Sequence, residues 1–93
     1  MNFTKVCVIG LGYIGLPTAS MFANNNLKVV GVDTNREIVQ SLSRGIVPIV
    51  EPGLQSAIDN AFNFGNMKVQ EKPEQADAYI IAVPTPFYDD KKA

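Results

Sequence analysis

Short apolar runs rich in β-branched residues recur along the chain and are bounded by glycine, proline and asparagine. Runs of this kind, apolar on both faces, are typical of strands buried in parallel sheets. The pattern predicts four such strands: Lys5–Ile9, Lys28–Asp33, Met67–Gln70 and Ala78–Val83.

Between these runs, apolar residues return every three or four positions, which is the spacing of helices packed on a sheet. Asn24–Asn26 ends the first helix, and Gly45 and Gly65 end the next two. The predicted helices are Tyr13–Asn25, a second that Thr34 or Asn35 caps and that stops near Gly45, and Leu54–Phe64.

Two connections interrupt this alternation. Ile46–Gly53 contains two prolines, so we expect an extended or turning segment there and not a central strand. Pro73–Ala76 is interpreted as one turn of helix before the last strand.

Strands that alternate with helices imply right-handed crossovers and an α/β fold built on a parallel sheet. We predict a partial, doubly wound Rossmann sheet of about four strands in the order 3-2-1-4, with helices on both faces. The 93 residues suit one domain and leave no room for two. Because the predicted sheet is partial, residues 1–93 are interpreted as the N-terminal part of such a domain.

Composition excludes several classes of function. A net charge of −1 and a pI near 5.2 argue against a nucleic-acid binder, and no apolar stretch approaches the roughly 20 residues that span a bilayer. The N-terminus has no signal-peptide pattern, and Cys7 is the only cysteine, which fits a reducing, cytoplasmic setting. With no histidine, the chain cannot form a Ser-His-Asp triad or a histidine metal site.

The candidate chemistry lies where the first strand turns into the first helix. Gly10–Gly15 matches G-x-G-x-x-G: Gly10 permits a tight turn, Gly12 lets the backbone approach a pyrophosphate, and Gly15 lets the helix lie close to the strand. Free amides at the helix start, including those of Tyr13 and Ile14, would point at the phosphates. The motif alone also fits a glycine-rich turn without a ligand, but its strand–turn–helix context favours a dinucleotide.

Asp33 ends the second strand, where a carboxylate can accept hydrogen bonds from the hydroxyls of a ribose. The alternative is an aspartate that caps a helix or a turn. A negative charge here would also repel a 2′-phosphate, so NAD is predicted in preference to NADP. Arg36 qualifies this prediction, because an arginine can hold a phosphate or stack on adenine, although such residues are usually solvated.

Thr85 follows the fourth strand between two prolines and would face the middle of the dinucleotide; a rigid turn explains the segment equally well. The other reactive side chains favour structural interpretations. Cys7 is expected inside the first strand as a small apolar residue, Glu51 in a loop, and Asp89–Lys92 in a solvated tail. We therefore predict no catalytic residue and no metal site within the chain.

Five linked segments resemble the start of UDP-sugar 6-dehydrogenases, the UDP-glucose/GDP-mannose dehydrogenase type, in register over nearly the whole chain. They are Gly10–Ala19, Val32–Asp33, Ile49–Leu54, Ala76–Tyr79 and Ala82–Phe87. The resemblance implies a two-step oxidation of a nucleotide sugar at carbon six, with reduction of two NAD. It further implies that Tyr13 and Ile14 contact the pyrophosphate, Asp33 the adenine ribose, and Thr85 the cofactor near its nicotinamide half.

In this resemblance the catalytic cysteine, lysine and asparagine and the sugar-binding domain lie beyond the chain, and Cys7 does not match the nucleophile. The chain alone is therefore expected to bind NAD and to be inactive, and to meet a UDP-sugar only in a longer protein. A β-hydroxyacid dehydrogenase and a free-standing nucleotide-sensing module remain alternatives. The unpaired edge of the last strand predicts self-association.

Overall fold

The computed structural model describes residues 4–82, and the structural statements below concern that part of the chain. Its four strands are all parallel and lie in the order β3-β2-β1-β4, which confirms the predicted sheet. The elements in chain order are β1 (Lys5–Ile9), α1 (Gly15–Ala23), β2 (Lys28–Val32), α2 (Arg36–Ser43), α3 (Leu54–Asn63), β3 (Met67–Gln70) and β4 (Ala78–Ile81).

One face of the sheet carries the main hydrophobic core. Alternate residues of β1 and β2, among them Val6, Val8 and Val29, are almost completely buried against the helices. All three helices contribute to this one cluster, with Leu16, Ala19, Ala23, Leu42, Leu54, Ile58 and Ala61. The helices therefore hold one side of the sheet rigid and place the first strand-to-helix turn at its carboxyl edge.

The prediction places helices on both faces, and within residues 4–82 the three described helices all pack on one face. The opposite face carries a smaller cluster, Cys7, Val30 and Val32, and no residue of a described helix belongs to it. The reason lies in topology: β1, β2 and β3 progress in one direction across the sheet, so right-handed crossovers put α1, α2 and α3 on the same side. Only the step from β3 to β4 crosses to the other side, and that connection contains no helix.

The segment between β3 and β4 differs from the predicted turn of helix. Residues 73–76 have no regular secondary structure. The Glu74 carboxylate instead bonds the amines of Lys5 and Lys68, at 3.0 Å for Lys68. The hydrogen bond from Lys5, followed by that from Lys68, lowers the pKa of Glu74 from 4.5 to about 2. Side-chain contacts therefore replace helical hydrogen bonds in this connection.

Asp77 joins the beginnings of β1 and β4. Its Oδ2 accepts hydrogen bonds from the Thr4 amide at 2.9 Å, the Thr4 hydroxyl at 3.1 Å and the Lys5 amide at 3.0 Å. These bonds, led by that of the Thr4 amide, lower the pKa of Asp77. Carboxylate contacts thus join β1 to its neighbours at the amino edge of the sheet, and the candidate site lies at the carboxyl edge.

Among residues 4–82, no helix combines the length and apolar character needed to cross a membrane.

Candidate nucleotide-binding site

The chain leaves β1 through a turn that only glycine tolerates well. Gly10 has φ = 100°, in the region that side chains disfavour, and its amide donates to the carbonyl of Val32 at 2.7 Å. The next side chain, Leu11, is fully buried and packs against Gly31. A Cβ added to Gly31 would lie 3.1 Å from the Leu11 side chain. The turn is therefore anchored at both its backbone and its first side chain.

The other two glycines of the motif have different surroundings. A Cβ on Gly15 would lie 1.6 Å from the carbonyl oxygen of Gly10, so the first turn of α1 packs directly on the glycine turn. A Cβ on Gly12 would meet nothing within 4 Å. Gly15 is thus needed by the fold as it stands, whereas the space beside Gly12 is open to a ligand.

Backbone amides are unpaired between the turn and the helix. The N–H groups of Gly12, Tyr13 and Ile14 have no acceptor among residues 4–82, and Ile14, the N-cap of α1, provides no side-chain cap. The first amide of this region that is bonded back is that of Leu16, to the carbonyl of Gly12 at 3.1 Å. Unpaired amides at the positive end of a helix form an anion site. Since the motif predicts free amides at this place, the structure meets the requirement on which the nucleotide prediction depends.

Asp33 lies directly beside this turn and is half-buried. Its Oδ2 accepts the amide of Leu11 at 2.9 Å, and its Oδ1 accepts the amide of Asn35 at 2.8 Å. Asn35, and not Asp33, caps α2, by accepting the amide of Glu37 at 2.9 Å. Asp33 therefore has, in part, the structural role in a turn that was the alternative to ribose binding, through its bond to Asn35. It also holds the start of the glycine turn in place, through its bond to Leu11. Each carboxylate oxygen has a second lone pair available to a hydroxyl.

A cleft of about 550 Å³ opens between the glycine turn and the end of β4. This volume lies within the range of small-molecule sites, roughly 300–1,000 Å³. It is at the carboxyl edge, where β1 and β4 meet and where open α/β sheets bind their ligands. The residues that line it are Gly12, Tyr13, Ile14, Thr18, Ile80, Ile81 and Ala82.

Gly10, Gly15 and Asp33 do not line this cleft, and the remaining sequence candidates do not join it either. Cys7 is fully buried in β1, as predicted, and Glu51 is exposed in the loop before α3. No group of acidic or cysteine side chains in residues 4–82 is arranged to hold a metal ion. Thr85 and the tail Asp89–Lys92 lie outside the described residues.

A second cavity, of about 260 Å³, lies at the opposite, amino ends of the strands. Lys5, Lys28 and Lys68 line it together with Glu74. Its lysines are already bonded, Lys5 and Lys68 to the Glu74 carboxylate and Lys28 to the side-chain oxygen of Asn66 at 3.1 Å. Because open α/β sheets bind ligands at their carboxyl edge, this cavity is not the candidate site.

Two features of the site were not predicted from sequence: the Asp33–Leu11 bond, and Glu71. The guanidinium Nε of Arg36 lies 3.4 Å from the carboxylate of Glu71, which follows β3. The sequence did contain the information needed to place Glu71 near Asp33. Residues that follow neighbouring parallel strands share one edge of the sheet, and Glu71 follows β3 as Asp33 follows β2.

The NAD-binding domain of the UDP-glucose/GDP-mannose dehydrogenase family matches residues 4–93. The chain belongs to this family. NAD is therefore its cofactor, and the match excludes the β-hydroxyacid dehydrogenase alternative. The free amides, the open side of Gly12 and the Asp33 carboxylate fit that dinucleotide.

Two curated family members are UDP-N-acetyl-D-mannosamine dehydrogenases. The protein of Campylobacter jejuni is 57% identical over 96% of this chain, and that of Methanococcus maripaludis is 53% identical over 97%. The chain spans only 22% and 21% of the length of these relatives.

Solved structures give the same result. The UDP-N-acetyl-mannosamine dehydrogenase of Staphylococcus aureus is 48% identical, with a TM-score of 0.90 over 94% of this chain and 21% of its own. A ternary complex of GDP-mannose dehydrogenase from Pseudomonas aeruginosa is 26% identical, with a TM-score of 0.87 over the same shares. Family membership thus rests on sequence and on fold together.

Proposed function

We propose that this chain is the cofactor-binding segment of a UDP-N-acetyl-D-mannosamine dehydrogenase. The observation that carries the proposal is the group of unpaired amides at the start of α1, beside the Asp33 carboxylate and the open side of Gly12. The amides bind the pyrophosphate and Asp33 binds the adenine ribose. The proposed cofactor residues are Gly10, Gly12, Tyr13, Ile14, Gly15, Asp33 and Thr85.

The sugar and the reaction are supported by the relatives. Proteins from Campylobacter jejuni and Staphylococcus aureus that resemble this chain are dehydrogenases of UDP-N-acetyl-mannosamine. The proposed reaction is the NAD-dependent oxidation of the sugar C6 alcohol to a carboxylate in two steps. This chain positions the hydride acceptor, and a longer protein, in the cytoplasm, supplies the sugar site and the catalytic groups.

Self-association through β4 is a second part of the proposal. β4 pairs with β1 on one side only among residues 4–82, and Tyr79 and Ile81 on it are 50% and 71% exposed. Unpaired strand edges recruit other strands. We expect the apparent mass in light scattering to rise with concentration. A single monomeric species throughout the concentration series would contradict this part of the proposal.

Asp33→Ala tests the ribose assignment. We expect NAD binding to weaken by about 1–3 kcal/mol, because charged hydrogen bonds to the ribose hydroxyls are lost. Isothermal titration calorimetry, or NMR titration if the affinity is millimolar, measures the change. Asp59→Ala is a matched control, since Asp59 is an exposed aspartate on α3 whose carboxylate bonds only Gln55 among the described residues.

Asp33 also bonds the Leu11 amide, so ADP and 2′,3′-dideoxy-ADP are needed to separate ribose binding from support of the turn. The wild-type chain should bind ADP more tightly than the dideoxy compound. Asp33→Ala should bind the two with similar affinity. If the variant retained the full preference of the wild type, Asp33 would not be the ribose ligand.

A further inference from the structure

The ion pair of Arg36 and Glu71 lies next to the aspartate assigned to the ribose. The amide of Asp33 donates to the carbonyl of Gln70 at 3.2 Å, which brings the ends of β2 and β3 together. Glu71 follows Gln70, and Arg36 is the first residue of α2, three positions after Asp33. Since β2 lies between β1 and β3, the pair flanks Asp33 on the side away from the glycine turn.

Arginine is suited to hold the 2′-phosphate of NADP, because its guanidinium binds phosphate with two parallel hydrogen bonds. An arginine near the end of the second strand is where that phosphate is accommodated in dinucleotide sites. In this structure the guanidinium faces a carboxylate instead, with Nε of Arg36 3.4 Å from Oε2 of Glu71. A second negative charge thus adds to that of Asp33 at the same edge.

We propose that Glu71 is a specificity-determining residue that excludes NADP by occupying Arg36. The inference rests on the proposed ribose site at Asp33. With Glu71 present, a 2′-phosphate must compete with a carboxylate for the guanidinium. A 2′-hydroxyl carries no charge and is not opposed.

Because the Arg36–Glu71 ion pair is exposed, it can be removed by substitution without loss of the fold. The side chains of Arg36 and Glu71 are 73% and 45% exposed, and an ion pair so open to solvent adds little to the stability of the fold. Removing the carboxylate should therefore release Arg36 without unfolding the chain. The effect should appear in the choice of cofactor and not in the free energy of unfolding.

The test is an NMR titration of the whole chain with NAD and with NADP at one ionic strength, for four proteins: wild type, Glu71→Gln, Arg36→Gln and the double variant. For Glu71→Gln we expect NADP to bind about threefold to tenfold more tightly, with NAD binding changed less than about twofold. In the Arg36→Gln background, Glu71→Gln should produce no such gain.

Glu37→Gln is the matched control for charge. Glu37 lies in the first turn of α2, is exposed, and forms no ion pair among the described residues. It should leave the ratio of the NADP and NAD affinities at the wild-type value. An equal gain in NADP binding from Glu37→Gln would overturn the proposal, because it would show an effect of net charge alone.

Two further outcomes would also decide the question. Unchanged NADP binding by Glu71→Gln, or a gain that persists without Arg36, would overturn the inference while NAD binding by the wild type still supported the proposed function. Absence of NAD binding to the wild type would overturn both.

Discussion

Gly15→Ala is expected to destabilise this chain strongly, and far more than Gly12→Ala. The new Cβ would lie 1.6 Å from the carbonyl oxygen and 2.7 Å from the carbonyl carbon of Gly10, and 3.3 Å from the Cβ of Ala82. The first two atoms belong to the backbone and cannot rotate away. Either α1 must move off the sheet or the turn at Gly10 must open.

Both responses disrupt buried structure. A shift of α1 would displace Leu16 and Ala19, which are fully buried in the main core, and an opened turn would break the bond from Gly10 to Val32. Overpacking costs about 1–3 kcal/mol where side chains can yield, so a backbone clash should cost about 3 kcal/mol or more. A small domain has only about 5–15 kcal/mol in total.

Urea unfolding, monitored by circular dichroism, measures the loss in free energy of unfolding of Gly15→Ala. A variant that does not fold at all would be the largest such loss. Gly12→Ala is the matched control, since the same methyl group is added three residues earlier into open space. If Gly15→Ala unfolded within about 0.5 kcal/mol of the wild type, in the range of ordinary surface substitutions, the close packing of α1 on the turn would be refuted.

The elements that sequence predicts best are those with a local cause. The bounds of β1 and β3 agree with prediction residue by residue, since Lys5–Ile9 and Met67–Gln70 end where glycine or polar residues interrupt the apolar run. Helix α1 begins at Gly15, two residues later than predicted. Pro17 has no amide to bond the carbonyl of Tyr13, so the helical bonding pattern is continuous only from the bond of Thr18 to Ile14 onward.

The errors arise where distant parts of the chain decide the structure. The four residues 73–76 are too few to sustain a helix against competing contacts. The amide of Asp77 bonds the carbonyl of Lys5, 72 residues away in sequence. This contact does not follow from the local pattern.

The same limit applies to the candidate site. The glycine turn and the acidic residue after β2 can be identified from spacing, because each depends on a short motif. The bond between the Asp33 carboxylate and the Leu11 amide depends on how two loops 22 residues apart meet across the sheet. The pairing of Arg36 with Glu71 depends likewise on β3 lying beside β2. Sequence therefore predicts the glycine turn and its free amides better than the contacts that surround Asp33.

Gly12→Ala is expected to weaken NAD binding while leaving the fold stable, whereas Gly15→Ala is expected to destabilise the fold itself. Gly12 has no positive φ, and its Cβ would contact nothing within 4 Å, so the folded chain accepts alanine. The unfolded chain loses freedom, so stability should stay the same or rise by up to about 1 kcal/mol. The methyl group would, however, occupy the space through which the backbone amides reach a pyrophosphate.

We therefore expect Gly12→Ala to bind NAD about tenfold to hundredfold more weakly, equivalent to about 1–3 kcal/mol of steric cost at a packed contact. NMR titration with NAD and with inorganic pyrophosphate measures it, and both ligands should lose affinity, because the obstruction lies at the phosphates and not at the ribose. Asp33→Ala provides the contrast, since it should retain more of its pyrophosphate binding than of its NAD binding. A folded Gly12→Ala chain that bound both ligands as tightly as the wild type would place the dinucleotide somewhere other than this turn.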